Sequence, residues 1–279
     1  MKEYTLGMYE KAVPGTLTWK EKLLAAKAAG YDFVEISIDE TEDKLARLDM
    51  TKQERMKLVK TMYEVGMPIR TLCLSGHRKY PLGSNDEKTV RRGMEIMEKT
   101  VDLADDLGIR IIMLAGYDVY YEESSNETRK RFAENIGKAV IMAAKKSVLL
   151  AFETMETDFM NTVAKSMKSV NAVGSPYLNI YPDIGNITNA AAAEGRDVLA
   201  DLKSGAHHLV AMHLKETKPG IFRDMMFGEG HVDFESAIQT AWSMGVRRYV
   251  TEMWYQGNEK WEEDLKFAHD SMADILNRQ

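Results

Sequence analysis

The chain has 279 residues, 44% of them hydrophobic and 29% charged, which suits a soluble α/β domain with one large core. Its formal net charge of −6 disfavours a nucleic-acid partner, because the field of the whole molecule repels a phosphate backbone. The one cysteine, Cys73, excludes a disulfide framework within the chain, and no apolar run approaches membrane-spanning length. A reducing, cytoplasmic setting without membrane contact is therefore expected, and the opening MKEYTLGMYE lacks the apolar stretch of a secretion signal.

Short apolar runs alternate with longer segments of helical period. The first run is YTLGMYE (4–10). Thr18, with Glu21 three residues on, then forms a capping box, in which side chains satisfy orphan backbone donors, and Gly30 supplies the left-handed residue that ends the helix. FVEISID (33–39) is the second run, followed by a Thr51/Glu54 capping box and a stop at Gly66. After IRTLCLS (69–75), a third box is read at Ser84/Glu87. The helix it opens carries a stripe at Val90, Met94, Met97, Val101, Ala104 and Leu107 and stops at Gly108. The remaining runs are IRIIMLAG (109–116), VLLAFET (148–154), LNIYPDI (178–184), LVAMHLK (209–215) and YVTEMW (249–254), with Gly245 closing the last helix before the eighth run. The 19 methionines are scattered through apolar positions and read as core filler.

Eight β–α units without an interrupting linker point to a (β/α)8 TIM barrel, with residues 1–279 expected to form one domain. An open doubly wound sheet would usually need fewer strands, and no GxGxxG follows any run. Barrel active sites lie at the C-terminal ends of the strands, so polar residues late in a run are the site candidates. Four consecutive runs end that way: Glu153 in the fifth, Asp183 in the sixth, His213 in the seventh and Glu252 in the eighth. Three carboxylates meeting at one mouth would repel and raise one another's pKa, and a divalent cation removes that conflict. The set suits Mn²⁺, Mg²⁺, Zn²⁺, Co²⁺ or Fe²⁺ better than it suits a thiolate-type site.

LGMYEKAVP (6–14), GYDFVEISIDET (30–41), CLSGHRKYPLGS (73–84), AGYDVYY (115–121), YPDIGN (181–186), HLKETKPGIF (213–222) and FGEGHVDFE (227–235) mark a resemblance that runs nearly end to end. The chain resembles the xylose-isomerase-like barrels, and within them the L-ribulose-5-phosphate 3-epimerases of bacterial ascorbate and pentose use. The resemblance implies a divalent metal, often zinc in this branch, held by Glu153, Asp183, His213 and Glu252. It also implies that Glu153 and Glu252 are the catalytic acid/base pair and that the substrate is a sugar phosphate. A homodimer is expected from the resemblance alone.

The residue types suit that chemistry. Epimerising C3 of a 2-ketose removes a proton alpha to a carbonyl, giving a cis-enediolate that a divalent cation would stabilise by several kcal/mol, on the order expected of a Lewis acid. One carboxylate takes the proton and a second returns one to the opposite face. His77 and Lys79 in SGHRKYPLGS, and Lys218 after the seventh run, are candidate substrate or phosphate contacts, against the alternative of solvated basic loops. Glu156, Asn186, Glu229 and Trp254 are further candidates near the mouth, whereas His207 and His208 fall at the opposite end and read as structural. Two other readings compete. A 1,2-proton shift on a hexulose phosphate or free sugar would use the same metal set. A metal-dependent endonuclease barrel would want more histidine and a basic groove than six histidines and an acidic balance supply.

Overall fold

A computed structural model describes residues 2–279. β1 (Thr5–Tyr9) leads into α1 (Trp19–Ala29), β2 (Phe33–Ile38) into α2 (Glu42–Leu45) and α3 (Lys52–Val65), β3 (Ile69–Leu74) into α4 (Glu87–Leu107), and β4 (Ile111–Ala115) into α5 (Asn126–Lys145). β5 (Leu149–Glu153) leads into α6 (Val163–Val173), β6 (Leu178–Ile180) into α7 (Ile184–Glu194) and α8 (Val198–Lys203), β7 (Met212–Leu214) into α9 (Phe234–Ser243), and β8 (Arg248–Thr251) into α10 (Trp261–Leu276). The strands form one eight-stranded parallel sheet in the order β6-β5-β4-β3-β2-β1-β8-β7. Bridges Ile180↔Leu209 and Asp183↔His213 join its two ends, so the sheet closes into a (β/α)8 barrel.

The runs at 178–184 and 209–215 yield only short strands, and the cause is visible at their seam. Pro182 has no N–H to continue a ladder, but its carbonyl still accepts from the His213 N–H at 2.9 Å. The seam between β6 and β7 thus brings two site candidates, Asp183 and His213, side by side.

Alternation along the strands builds two apolar layers. Leu6, Ile36, Leu72, Ile112 and Leu150 pack outward with the helices, while Phe33, Cys73, Met113, Tyr181 and Val250 fill the barrel interior. Ten of the methionines are among the buried apolar residues, which agrees with a filling role. The helix boundaries follow local chemistry. Thr18/Glu21 and Thr51/Glu54 form capping boxes, and Gly30, Gly66 and Gly108 end their helices with positive φ. The Ser84/Glu87 box is a correction: Asp86 is the N-cap of α4 and accepts from the Thr89 N–H at 2.9 Å, while Ser84 Oγ accepts from the Asp86 N–H. A carboxylate two residues nearer the helix outcompetes the serine for the orphan donor. Among the described residues, no helix is long and apolar enough to cross a membrane.

Candidate metal centre and the cavity above it

Each of the four donor residues leaves its strand at the C-terminal mouth. Glu153 is the last residue of β5, and Glu252 directly follows β8. His213 lies within β7, and Asp183 is the N-cap of α7, where its Oδ1 accepts from the Asn186 N–H at 2.8 Å. One donor atom from each lies within 4.8 Å of the other three, and all four residues are buried. The His213 ring fixes the centre of the group. Its Nδ1 stands 3.1 Å from Glu252 Oε2, 3.6 Å from Glu153 Oε1 and 3.9 Å from Asp183 Oδ2. The opposite nitrogen, Nε2, lies 2.6 Å from Glu35 Oε1. Glu35 also accepts from the Tyr181 hydroxyl at 3.1 Å.

The electrostatics show a site with excess negative charge. Burial pushes Glu153 up, with His213 opposing and Glu252 reinforcing the shift. Burial pushes Asp183 well above the usual carboxyl range, with Lys215 opposing and Glu252 reinforcing. Burial would raise Glu252 too, but Lys215 and His213 outweigh it and hold that carboxylate well below its ordinary value. For His213 burial acts downward, and Glu35 and Glu252 together drive it well above the usual histidine range. These shifts have one origin: the three clustered carboxylates and Glu35 share only an imidazole and one ammonium as compensation. Asp183 Oδ2 is in addition a buried oxygen without a hydrogen-bond partner, although Lys215 Nζ is in ion-pair contact at 2.8 Å. An oxygen-rich set of three crowded, buried carboxylates with one imidazole nitrogen fits a divalent cation.

Above the cluster opens a cavity of about 140 Å³. Glu153 and Glu252 line it, together with Glu156, Asn186 and Trp254 from the sequence-derived candidates. Glu156 accepts from the Tyr120 hydroxyl at 3.2 Å and the Tyr117 hydroxyl at 3.3 Å, and Arg78 is 4.0 Å away. Asn186 is held by its Nδ2 donating to the Thr154 carbonyl at 2.8 Å. Trp254 forms a wall, edge-on to Tyr9 with ring centroids 5.9 Å apart.

Four expected contacts lie elsewhere. His77 turns inward, is buried, and sets its Nε2 3.1 Å from the Gly93 carbonyl, because the loop after β3 begins with a 3₁₀ turn at Gly76–Arg78 that directs the ring toward α4. Burial pushes this histidine down to about 4, so near neutral pH it presents no cation to a phosphate. Lys79 is exposed and pairs with Glu42 at 3.0 Å. The Lys218 backbone is tied to Ile221 in a tight turn, and its side chain is not part of the cavity wall. Glu229 is exposed and accepts from the Met226 N–H at 3.1 Å, which stiffens its own turn. In their place the cavity is lined by Lys11, Arg78, Lys215 and Arg223. Arg78 sits between His77 and Lys79 in the same basic triplet, and only the turn geometry singles it out. Lys215 and Glu35 carried no distinguishing sequence signal beyond being polar residues in or just after an apolar run.

The model of the xylose isomerase-like TIM barrel family matches residues 23–271. The L-ribulose-5-phosphate 3-epimerase UlaE of Escherichia fergusonii is 44% identical over 270 residues, covering 96% of this chain and 94% of that one. The UlaE protein of Escherichia coli strain UMN026 matches to the same extent. Among solved structures, a D-psicose 3-epimerase superposes with a TM-score of 0.81 at 15% identity, covering 98% of this chain and 99% of the other. An L-ribulose 3-epimerase gives 0.80 at 18% identity, covering 99% and 95%. The chain belongs to the xylose isomerase-like TIM barrels and, within them, to the L-ribulose-5-phosphate 3-epimerase family.

Proposed function

We propose that the protein is an isomerase that inverts C3 of a pentulose 5-phosphate, interconverting L-ribulose 5-phosphate and L-xylulose 5-phosphate. The observation that carries this reading is a difference in exposure within the cluster. Glu153 and Glu252 line the cavity, whereas Asp183 and His213 are completely buried beneath it. Two carboxylates that reach the substrate space suit a two-base inversion, and two donors that do not reach it suit a purely holding role. The membership established by 44% identity over almost the whole chain supports the substrate class.

In this mechanism Glu153, Asp183, His213 and Glu252 hold one divalent cation, taken as Zn²⁺ with Mn²⁺, Mg²⁺ and Co²⁺ as alternatives. That ion supplies Lewis-acid polarisation of the ketose carbonyl, which lowers the barrier to losing the C3 proton. One glutamate accepts the C3 proton as the electron pair moves toward O2, forming the cis-enediolate. The other glutamate delivers a proton to the opposite face of C3. Glu156, Asn186 and Trp254 orient the sugar. The cations lining the cavity, Lys11, Arg78 and Arg223, favour a phosphorylated substrate. His77, Lys79, Lys218 and Glu229 are not retained as substrate contacts. We read residues 1–279 as one barrel domain working in the cytoplasm, and as a homodimer by analogy with related barrels.

A panel of L-ribulose 5-phosphate, L-xylulose 5-phosphate and the free ketoses, run in D₂O with and without chelator, tests the reading. Deuterium entering C3 of the phosphate esters, and its loss on chelation, is the expected result. Label at C1 or C2 would mark a 1,2-isomerase instead, and metal analysis of the purified protein identifies the ion.

A further inference from the structure

Lys215 lies two residues beyond His213, where the chain leaves β7. An exposed lysine would be unremarkable there, but this one is only 5% exposed. Its ammonium is 2.8 Å from Asp183 Oδ2 and 3.5 Å from Glu252 Oε2, so it spans a buried ligand and a cavity-facing one. It stands 6.0 Å from the centroid of Trp254 and itself lines the cavity beside Glu153. The backbone holding it is tightly placed: a Cβ added at Gly185 would come within 2.7 Å of the Lys215 carbonyl. Burying an ammonium costs several kcal/mol, so a lysine is stable here only because the carboxylates compensate it.

Charge counting gives the position its meaning. The four donor residues include three carboxylates, for −3, and a divalent cation brings the set to −1. Lys215 supplies the one positive side-chain charge that offsets this −1, while the buried Glu35 carboxylate on His213 adds a further negative charge behind the ring. A desolvated site strengthens any hydrogen bond aimed at charge that appears only during the reaction.

We propose that Lys215 is a further catalytic residue: its ammonium balances the charge of the ligand cluster and donates a hydrogen bond to the ketose oxygen that becomes negative when the C3 proton leaves. The role rests on the epimerase reading above. The C3–H bond breaks, its proton goes to one glutamate, and its electron pair forms the C2–C3 double bond while the carbonyl π pair moves onto O2. The flow then reverses with a proton from the other glutamate. Lys215 keeps its protons throughout and acts as a fixed charge.

The test pairs Lys215→Met with Lys215→Arg and follows two quantities, turnover of L-ribulose 5-phosphate and binding of Mn²⁺ alone by calorimetry. Lys215→Met is expected to lower kcat by about 10²–10³-fold with KM little changed, as for loss of a donor to developing charge. It should at the same time bind Mn²⁺ at least about tenfold more tightly, because the cluster gains one net negative charge. Lys215→Arg keeps the charge, so its Mn²⁺ affinity should stay near wild type while kcat is partly retained. A lysine that merely props up the cluster would instead lose activity and metal affinity together, and that result overturns the proposal. So does a Lys215→Met enzyme with kcat within threefold of wild type. If wild type itself fails to epimerise the pentulose phosphates, the functional reading and the catalytic role fall together, while the Mn²⁺ titrations still decide the charge-balancing role.

Discussion

Glu35 and His213 are 178 positions apart in the chain, yet Glu35 Oε1 lies 2.6 Å from His213 Nε2. Both side chains are fully buried. A carboxylate accepts at that nitrogen, so a hydrogen sits on Nε2 and Nδ1 faces the three clustered carboxylates. Partners of this kind are typically worth 10–100-fold in metal affinity. Glu35→Leu is therefore expected to weaken Mn²⁺ or Zn²⁺ binding by about that range. Glu35→Gln, which keeps an acceptor oxygen, should lose less. Equal, wild-type affinities in a calorimetric titration of both variants would remove Glu35 from the site.

Asp183 serves two masters, because one oxygen caps α7 and the other faces the cluster. Asp183→Ala should cost about 1 kcal/mol of stability from the lost cap in addition to its effect on metal. Asp183→Asn keeps the cap and isolates the ligand role. It is expected to melt close to wild type in the presence of chelator and to bind metal far more weakly. His213→Ala should likewise lose the ion. Stoichiometric metal and a normal rate in either variant would show that the ligand set is wrongly assigned.

Glu153→Gln and Glu252→Gln keep size while removing a basic carboxylate. Each should cut kcat by at least about 10²–10⁴-fold, the usual worth of a general acid or base. With one base left, solvent deuterium can still wash into one epimer without inversion. The two variants should show opposite preferences, one exchanging L-ribulose 5-phosphate and the other L-xylulose 5-phosphate. Identical patterns would point to a single base, with Glu156 the next candidate for the second proton donor.

A phosphate ester should be preferred over the free ketose. A charge-assisted contact contributes about 1.5–3 kcal/mol, roughly ten- to a hundredfold in affinity. The cavity offers Lys11, Arg78 and Arg223 for it. Comparable kcat/KM for L-ribulose and its 5-phosphate would rule this out.

Stability should fall in acid through Glu10, away from the candidate metal cluster. Glu10 is fully buried and paired with Lys22, Lys44 and Arg47. Burial opposes its ionisation, but Arg47, Lys44 and Lys22 outweigh burial and hold its carboxyl down at about 2. A depressed folded-state pKa stabilises the fold above the unfolded value, near 4.3, and that contribution, roughly 3 kcal/mol, disappears as pH falls toward the folded value. Denaturant melts between pH 5 and 2.5 should show wild type losing more stability than Glu10→Gln, whose side chain does not titrate. Parallel pH profiles for the two would contradict the assignment.

The barrel was legible in the sequence because its signals are local. Apolar runs of strand length, the Thr18 and Thr51 caps and the glycine stops each depend on residues within a few positions of one another. The four donor residues were legible for a related reason: they lie late in, or shortly after, consecutive strands, and closing the sheet brings those ends together. Side-chain direction was not legible. His77, Arg78 and Lys79 are adjacent and similarly basic, yet the turn at Gly76–Arg78 sends the first into the core, the second to the cavity and the third to solvent. Glu35 was hidden inside FVEISI, where alternation says that a residue faces in or out but not what it meets across the barrel. A register shift between Val34 and Glu35 against β3 adds a local irregularity that no period reports. Lys215 and Lys218 differ by three positions, and only the close packing of Gly185 against the Lys215 backbone, together with the Lys218–Ile221 turn, decides which of the two lines the cavity. Contacts across a closed barrel join residues far apart in the chain, so they are fixed by closure and packing rather than by any neighbouring residue.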